Sequence, residues 1–353
     1  MRNTLVLQVD PGSPDPATIR RAASIIKSGG LVAFPTETVY GLGADACNET
    51  AVRCIFEAKG RPPDNPLIVH ICDTAMLDLA AVDVPDAAWK LAERFWPGPL
   101  TLVLSRAERI APSVSAGLQT VAVRMPANEI ALELIRSAAT PIAAPSANVS
   151  GRPSAVSAQH VLEDLNSKID LVLDGGKTQI GIESTVLDLT ATSPIILRPG
   201  WVTSECIAET IGDARFGISD DQLKRSPGTR HRHYTPRARV ILVEDKNVET
   251  LLAILQRNLK DGPVAYIGHT PIDLPGQGSA TSTAAPGSAP LANPNLTTIM
   301  LGNDPAEYGA AIYTAMRELD SRGVPVIVVE GISGSGEALA VMDRLRRSAS
   351  RIV

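Results

Sequence analysis

Short apolar runs in the first two hundred residues constrain the fold of this chain more than any other feature. The runs are typical of buried strands: LVAFP, PLIVHI, PLTLVLS, TVAVRMP, PIAAPS, DLVLD, STVLDL and PIILR. Helical periodicity is rarer, and residues 16–28 show it most clearly. The apolar face of that helix comprises Ile19, Ala22, Ala23 and Ile26. Because strands outnumber helices, we predict an α/β fold built on a twisted, partly antiparallel mixed sheet.

A second set of elements follows a basic segment. Residues 224–239 (KRSPGTRHRHYTPRAR) contain six Lys or Arg and no acidic residue, which indicates an extended linker. Strands and helices then alternate, interrupted at 271–294 by a Pro-, Gly- and Ser-rich stretch that we predict to be mobile. We therefore predict a first domain over 1–212, a basic linker over 213–238 and a smaller, Rossmann-like parallel α/β domain over 239–353.

Composition narrows the functional classes. The net charge of -5 and the 3% aromatic content disfavour binding of nucleic acid through bulk charge or base stacking. The four cysteines form no C-x-x-C pair, so reduced thiols and a cytoplasmic location are expected. We find no signal peptide and no apolar run long enough to span a membrane.

Two glycine-rich strings and the five histidines differ from the known motifs for binding phosphates, dinucleotides and zinc. LVLDGGKT lacks the first glycine of a phosphate-binding P-loop. Residues 331–336 (GISGSG) have a spacing that differs from the dinucleotide fingerprint, so a plain turn before a helix is favoured over a nicotinamide-linked dehydrogenase. The five histidines show no zinc-binding spacing, which predicts no metal site built from protein ligands alone.

Polar side chains cluster in three segments. FPTETVYGLGADA places hydroxyls between a buried strand and a glycine-rich turn, where they can hold a small polar substrate or cap a helix at Thr36 or Thr38. Lys59 and Arg61 end a short helix ahead of two prolines, whose stiff backbone aims both cations at one place, as a triphosphate requires. APSANVSGRPS supplies a polar turn suited to phosphates or Mg²⁺, with Ser146, Asn148, Ser150 and Ser154.

The order of the motifs resembles a known family. FPTETVYGLGADA, KGRPPDNPLIVH, TVAVRMP, APSANVSGRPS, GIESTVLDL and LRPG together resemble the YrdC-like L-threonylcarbamoyladenylate synthases, over roughly residues 15–205. The pairs Lys59-x-Arg61 and Ser146-x-Asn148 are the signature of that family. SPGTRHRHYTP and the second α/β domain are similar to its longer, two-domain form, which implies a YrdC-like fold for the first domain.

The resemblance implies a nucleotidyltransferase. Such an enzyme joins L-threonine, bicarbonate or CO2, and ATP into threonylcarbamoyl-AMP and releases pyrophosphate, as the first step of threonylcarbamoyladenosine modification of tRNA. A partner transferase would then act on the tRNA, so direct tRNA binding is not required. Mg²⁺ would accompany ATP, and no organic cofactor is implied.

The resemblance also implies roles for individual residues. Lys59 and Arg61 would be catalytic. The threonine-binding residues would be Thr38, His70, Arg124, Ala144 and Ser184. The ATP-binding residues would be Lys59, Arg61, Asn65, Thr120, Ser146, Asn148, Ser154, Arg198 and Tyr234. We further expect the linker to close over the first domain as a basic flap, with Tyr234 in contact with the site and His233 beside it.

Alternative functions remain at this point. An RNA-binding module of YrdC-like fold without this catalysis is compatible with the cationic linker, although the acidic pI counts against it. Carbamoyl transfer in hydrogenase maturation involves a related domain, but this chain lacks the zinc-finger cysteines found there.

Overall fold

A computed structural model describes residues 3–217, 219, 222, 225–226, 234–244, 247–272 and 294–353. Residues 273–293 of the stretch predicted to be mobile lie outside the described residues, and so do twelve of the 26 residues of the predicted basic linker, His233 included.

The described part of the first two hundred residues forms a mixed sheet, as predicted. Its strands are β1 (Leu5–Gln8), β2 (Val32–Phe34), β3 (Gly41–Asp45), β4 (Ile68–His70), β5 (Ala81–Val82), β6 (Leu100–Arg106), β7 (Thr120–Arg124), β8 (Ile142–Ala144), β9 (Leu171–Asp174), β10 (Thr185–Asp188), β11 (Ile195–Arg198) and β12 (Arg215–Phe216). They are ordered β1-β9-β2-β3-β8-β4-β7-β6-β10-β11-β12, with β5 beside β6. The neighbours β3, β8 and β4 pair antiparallel, whereas β4 and β7 pair parallel.

Helices cover this sheet. They are α1 (Pro16–Lys27), α2 (Glu49–Lys59), α3 (Leu77–Ala80), α4 (Asp86–Phe95), α5 (Glu129–Ala138), α6 (Ala158–Leu165) and α7 (Ser204–Ile211). The Asp15 carboxylate caps the N-terminus of α1 by accepting a hydrogen bond from the Thr18 amide. The predicted apolar face of α1 is buried. No helix in the described part of the chain is long and apolar enough to cross a membrane.

The second sheet is parallel, as expected for a Rossmann-like domain. Its strands are β13 (Arg239–Val243), β14 (Val264–Gly268), β15 (Leu296–Met300), β16 (Val326–Glu330) and β17 (Arg351–Ile352), in the order β15-β14-β16-β13-β17. The accompanying helices are α8 (Val248–Leu259), α9 (Pro305–Ser321) and α10 (Glu337–Ser348). The GISGSG string is the turn that leads into α10, where Gly336 has a φ of +61°.

Two sequence interpretations of the FPTETVYGLGADA segment are wrong. The glycine-rich segment GLGAD was interpreted as a turn, but it forms β3, which pairs antiparallel with β2. No helix begins between β2 and β3, so the alternative of a helix cap at Thr36 or Thr38 is also wrong. The glycines serve close packing: a Cβ built on Gly43 would lie 2.7 Å from the Phe34 ring and 2.8 Å from the Ile142 side chain.

We expect Gly43→Ala to lower the melting temperature, because the added methyl group displaces the Phe34 ring and such overpacking costs about 1 to 3 kcal/mol. Gly12→Ala is the matched control, since a Cβ there meets only the Asp10 carboxylate, at an ordinary 3.5 Å. Thermal unfolding of both variants tests the expectation. Equal melting temperatures for the two variants would show that β3 can accept a larger side chain.

Candidate active site

A pocket of about 550 Å³, counting its open mouth, lies on one face of the central strands. His70 of β4 lies opposite Arg124 of β7, and Ile68 lies opposite Ala144 of β8. Residues opposite each other in neighbouring strands share a face, and so do residues two apart in one strand. The sheet register therefore brings all four residues to the pocket.

Most of the predicted site residues meet in this pocket. Those that line it are Thr38, Arg61, His70, Arg124, Ala144, Ser146, Ser184, Arg198 and Tyr234. The remaining lining residues were not predicted as site residues, and they are Thr36, Val39, Gly41, Ile68, Pro145 and Glu183. Since Glu183 directly precedes Ser184 in the GIESTVLDL motif, an acidic residue within a buried run was a signal that could have identified it.

Arg124 lines the pocket and is held by three neighbouring groups. Its Nη1 donates a hydrogen bond to the Thr38 hydroxyl (2.9 Å), and its Nε donates to the Gly98 carbonyl (3.1 Å). Its Nη2 lies 2.6 Å from Glu37 Oε2 in a buried ion pair. That contact lacks the direction of a hydrogen bond, and Glu37 Oε1 has no hydrogen-bond partner among the described residues. The Arg124 guanidinium is thus held in place, while the Glu37 carboxylate keeps an oxygen that bonds none of the described residues.

His70 is neutral at physiological pH. Burial, together with the nearby positive charge of Arg124, lowers the pKa of its imidazole to about 3. The Phe34 ring meets it edge-on, with 6.0 Å between the ring centroids. Its Nδ1 is buried and has no hydrogen-bond partner in the described part of the chain. A neutral imidazole nitrogen of this kind can hydrogen-bond a polar group of a ligand.

Two further arginines line the pocket. Arg61 donates to the carbonyls of Asn65 (3.1 Å) and Pro66 (2.8 Å), which fixes its guanidinium. Arg198 donates to the Ser184 carbonyl (3.0 Å) and to the Ser184 hydroxyl (3.2 Å). Burial lowers the pKa of Arg61 to about 10, so its guanidinium remains charged at neutral pH, and burial also lowers the pKa of Arg198. A pair of guanidinium groups is suited to an anion.

Lys59 lies behind the pocket and does not line it. Its ammonium is buried and donates to the main-chain carbonyls of Ser146 and Asn148. Burial, followed by the nearby charge of Arg61, lowers its pKa well below the usual value. In this structure, Lys59 therefore fixes the loop that presents Ser146. Its predicted catalytic role stays a prediction.

Four further predicted residues also lie outside the lining. The Asn148 amide donates to the carbonyls of Val149 and Arg152 (both 2.9 Å), within the same loop. The Ser154 hydroxyl donates to Glu183. The Asn65 carbonyl accepts a hydrogen bond from Arg61. Thr120 is the first residue of β7, four residues before Arg124, so the two residues are about 13 Å apart along the strand. Their predicted contacts with ATP remain predictions.

Tyr234 joins the pocket from the linker. It has a φ of +65° and is buried, and its ring stacks on Tyr313 with 5.6 Å between the centroids. The next amide, of Thr235, donates to the Gly151 carbonyl (2.8 Å). Two of the described basic residues of segment 224–239 have acidic partners from other elements: Arg225 pairs with Asp188, and Arg237 pairs with Asp320. The segment is acid-free in sequence, but these two charges are compensated in the fold.

Comparisons with known proteins identify the class. A family model labelled Sua5/YciO/YrdC and described as "Telomere recombination" matches residues 24–200. A second model, described as "Threonylcarbamoyl-AMP synthase, C-terminal domain", matches residues 202–350. The chain belongs to the Sua5/YciO/YrdC family, in the form that carries this C-terminal domain.

Similar proteins agree with that assignment. The threonylcarbamoyl-AMP synthase of Pyrococcus abyssi is 46% identical, with 94% of each chain covered. The enzyme of the same name from Bacillus subtilis is 42% identical, with 96% of this chain and 95% of that protein covered. The crystal structure of P. abyssi Sua5 complexed with L-threonine superposes with a TM-score of 0.88 at 45% identity, covering 99% of each chain. The family predicted from the sequence is confirmed, and so is the expectation of an enzyme of the transferase class.

Proposed function

We propose that this chain forms threonylcarbamoyl-AMP and pyrophosphate from L-threonine, bicarbonate or CO2, and ATP. One observation carries the proposal: a single pocket is lined by three buried arginines, Arg61, Arg124 and Arg198. A guanidinium suits a carboxylate, and two more suit a polyphosphate, so one pocket can align an amino acid with a nucleotide. The similarity to a Sua5 structure complexed with L-threonine supports L-threonine as one of the two ligands.

The chemistry requires positioning more than an activated side chain. The threonine amine adds to CO2 to give a carbamate, and a carbamate oxygen then attacks the α-phosphorus of ATP while pyrophosphate leaves. Holding both reactants in contact accounts for much of the rate in such a reaction. Buried cations that neutralise the charge developing on the phosphates account for more.

Magnesium fits this pocket as a companion of ATP. Glu183, the one carboxylate among the described lining residues, is already engaged by Arg344 and Ser154. Mg²⁺ commonly keeps several waters and binds substrate phosphates. No cluster of three acidic, His or Cys side chains able to hold a metal occurs in the described ranges. When bound with ATP, the ion would supply neutralisation of the triphosphate charge.

The product requires an acceptor. We propose that a partner transferase passes the threonylcarbamoyl group to tRNA, and that this chain acts in the cytoplasm, where its free cysteines would stay reduced. An RNA-binding module without catalysis is the competing function. Incubation of the protein with ATP, Mg²⁺, bicarbonate and L-threonine, without RNA, separates the two. Threonine-dependent release of pyrophosphate supports the synthase, and its absence favours the RNA-binding module.

We expect serine to be a poorer substrate than threonine, and valine to be poorer still. The Thr38 hydroxyl and the unpartnered Nδ1 of His70 lie in the pocket and can bond a substrate hydroxyl. A site built for a hydroxyl rejects an analogue without one, because its own polar groups are then left unpaired. The check is kcat/KM for the three amino acids. Equal values for valine and threonine would remove these two residues from side-chain recognition.

A further inference from the structure

The second sheet domain packs directly on the segment that carries Glu183 and Ser184. Gly181 has a φ of +80°, and a Cβ built on it would lie only 2.5 Å from Cα of Ala310 in α9. Ile182 belongs to one hydrophobic cluster with Tyr308 and Ile312 of the same helix. The backbone just before β10 is therefore seated against α9, which excludes water from this part of the interface.

Arg344 of α10 connects two chain segments of the first domain. Its Nε donates to Glu183 Oε2 (2.8 Å), and its Nη2 donates to the Glu183 carbonyl (3.1 Å). Its Nη1 donates to the Pro199 carbonyl (2.9 Å). The Arg344 side chain is 1% exposed. A single guanidinium from the second domain thus fixes the neighbour of Ser184 and the neighbour of Arg198.

The Glu183 carboxylate is the centre of this arrangement. Its Oε1 accepts from the Ser154 hydroxyl (2.5 Å), and its Oε2 also accepts from the Tyr313 hydroxyl (3.3 Å). Burial alone would raise the pKa of Glu183, but the charges of Arg344 and Arg198 lower it below the usual value, so the carboxylate stays ionised. A buried ionised carboxylate is costly unless it remains paired.

The same two residues of the second domain also support Tyr234. Tyr313 stacks on the Tyr234 ring, and the Arg344 guanidinium carbon lies 5.8 Å from its centroid. This distance is within the range of a cation–π contact. Besides the pocket-lining Glu183, which it contacts directly, Arg344 is therefore linked to three more lining residues: to Ser184 and Arg198 through their chain neighbours and to Tyr234 through its ring.

We propose that Arg344, assisted by Tyr313, is a positioning residue of the active site, through which the second domain holds Ser184, Arg198 and Tyr234 in their binding arrangement. This inference rests on the proposed function for its kinetic consequence. Without Arg344, Glu183 still faces Arg198, whose positive charge already acts on that carboxylate. Arg198 would then be drawn towards Glu183 and away from an anionic substrate.

The test variant is Arg344→Lys, which keeps the charge and most of the stem. A lysine ammonium lacks the planar fork and cannot reproduce the donation to both segments. Arg346→Lys is the matched control, since Arg346 lies on the same helix but is exposed and pairs with Glu244, in its own domain (2.8 and 2.9 Å). Both variants are made in the full chain.

We expect Arg344→Lys to raise the KM for ATP and the KM for L-threonine by about tenfold each, with kcat changed less than about twofold, as for the loss of a charged hydrogen bond. The contacts of Lys59 and Arg61 do not involve Arg344, which is why kcat should be nearly preserved. Hydrogen exchange of the amides around 183–199 should become faster without ligands. Arg346→Lys should change neither readout.

The positioning role requires both the rise in the two KM values and the faster hydrogen exchange. Unchanged KM values, unchanged exchange, or equal changes in Arg346→Lys would overturn the positioning role. The exchange measurement needs no substrate, so it decides the structural part even if the wild-type protein forms no threonine-dependent adenylate. A wild-type protein that forms no threonine-dependent adenylate would overturn the proposed function instead. Failure of the proposed function and failure of the positioning role are thereby distinguishable.

Discussion

Replacing Arg124 with glutamine is expected to raise the KM for L-threonine by about 100-fold, because a buried bidentate contact between a guanidinium and a carboxylate contributes about 1.5 to 3 kcal/mol and glutamine cannot replace its charge. Arg124 is buried and lines the pocket beside Thr38 and His70. Threonine-dependent pyrophosphate release at increasing L-threonine concentration measures the effect.

Arg124→Gln is also expected to lower the stability of the fold, and this loss must be measured separately from the loss of threonine binding. Arg124 forms a buried ion pair with Glu37, and removal of one partner of such a pair typically costs about 3 to 5 kcal/mol. The double variant Arg124→Gln with Glu37→Gln removes the unpaired charge and should recover melting temperature without recovering threonine use. Arg136→Gln, an exposed change on α5, is the control. Recovery of the KM together with stability would show that Arg124 acts only on the fold.

Replacing Arg61 with alanine is expected to lower kcat/KM for ATP by about tenfold or more, while the affinity for L-threonine measured alone stays near normal. The side chain is fixed by the carbonyls of Asn65 and Pro66 and faces the pocket, so its charge is already oriented before ATP binds. Such preorganisation is what makes a buried cation effective towards phosphate.

A neighbouring arginine provides the control for Arg61. Arg53 lies on α2, is exposed and pairs with Glu49 one helical turn away (2.8 Å). Exposed pairs of this kind contribute little, so Arg53→Ala should leave ATP use unchanged. An ATP dependence of Arg61→Ala equal to that of Arg53→Ala would place Arg61 outside the nucleotide site.

Local patterns in the sequence were sufficient for most of the architecture. The apolar runs became strands, residues 16–28 became α1, and the alternation after the linker became a parallel sheet. These features depend on periodicity over a few residues, which a sequence displays directly. The error over the GLGAD strand arose because its glycines serve the Phe34 ring of another strand rather than a turn.

The candidate site was likewise predictable from the sequence in part, and the rest required the tertiary structure. The resemblance to the family named nine of the residues that line the pocket, including Arg61, His70 and Arg124. Tertiary structure alone shows that Lys59 faces the carbonyls of Ser146 and Asn148, and that Thr120 lies at the far end of β7 from Arg124. Such details follow from side-chain direction and strand register, which neighbouring residues in the sequence do not determine.

Local patterns and the order of the motifs were enough to predict the fold class and the family. The pairing of Glu37 with Arg124, and that of Arg344 with Glu183 across 161 positions of the chain, become visible only once the elements are packed together. The physical reason is that a charge enters a protein interior only with a partner, and that partner is selected by docking of whole elements rather than by local spacing.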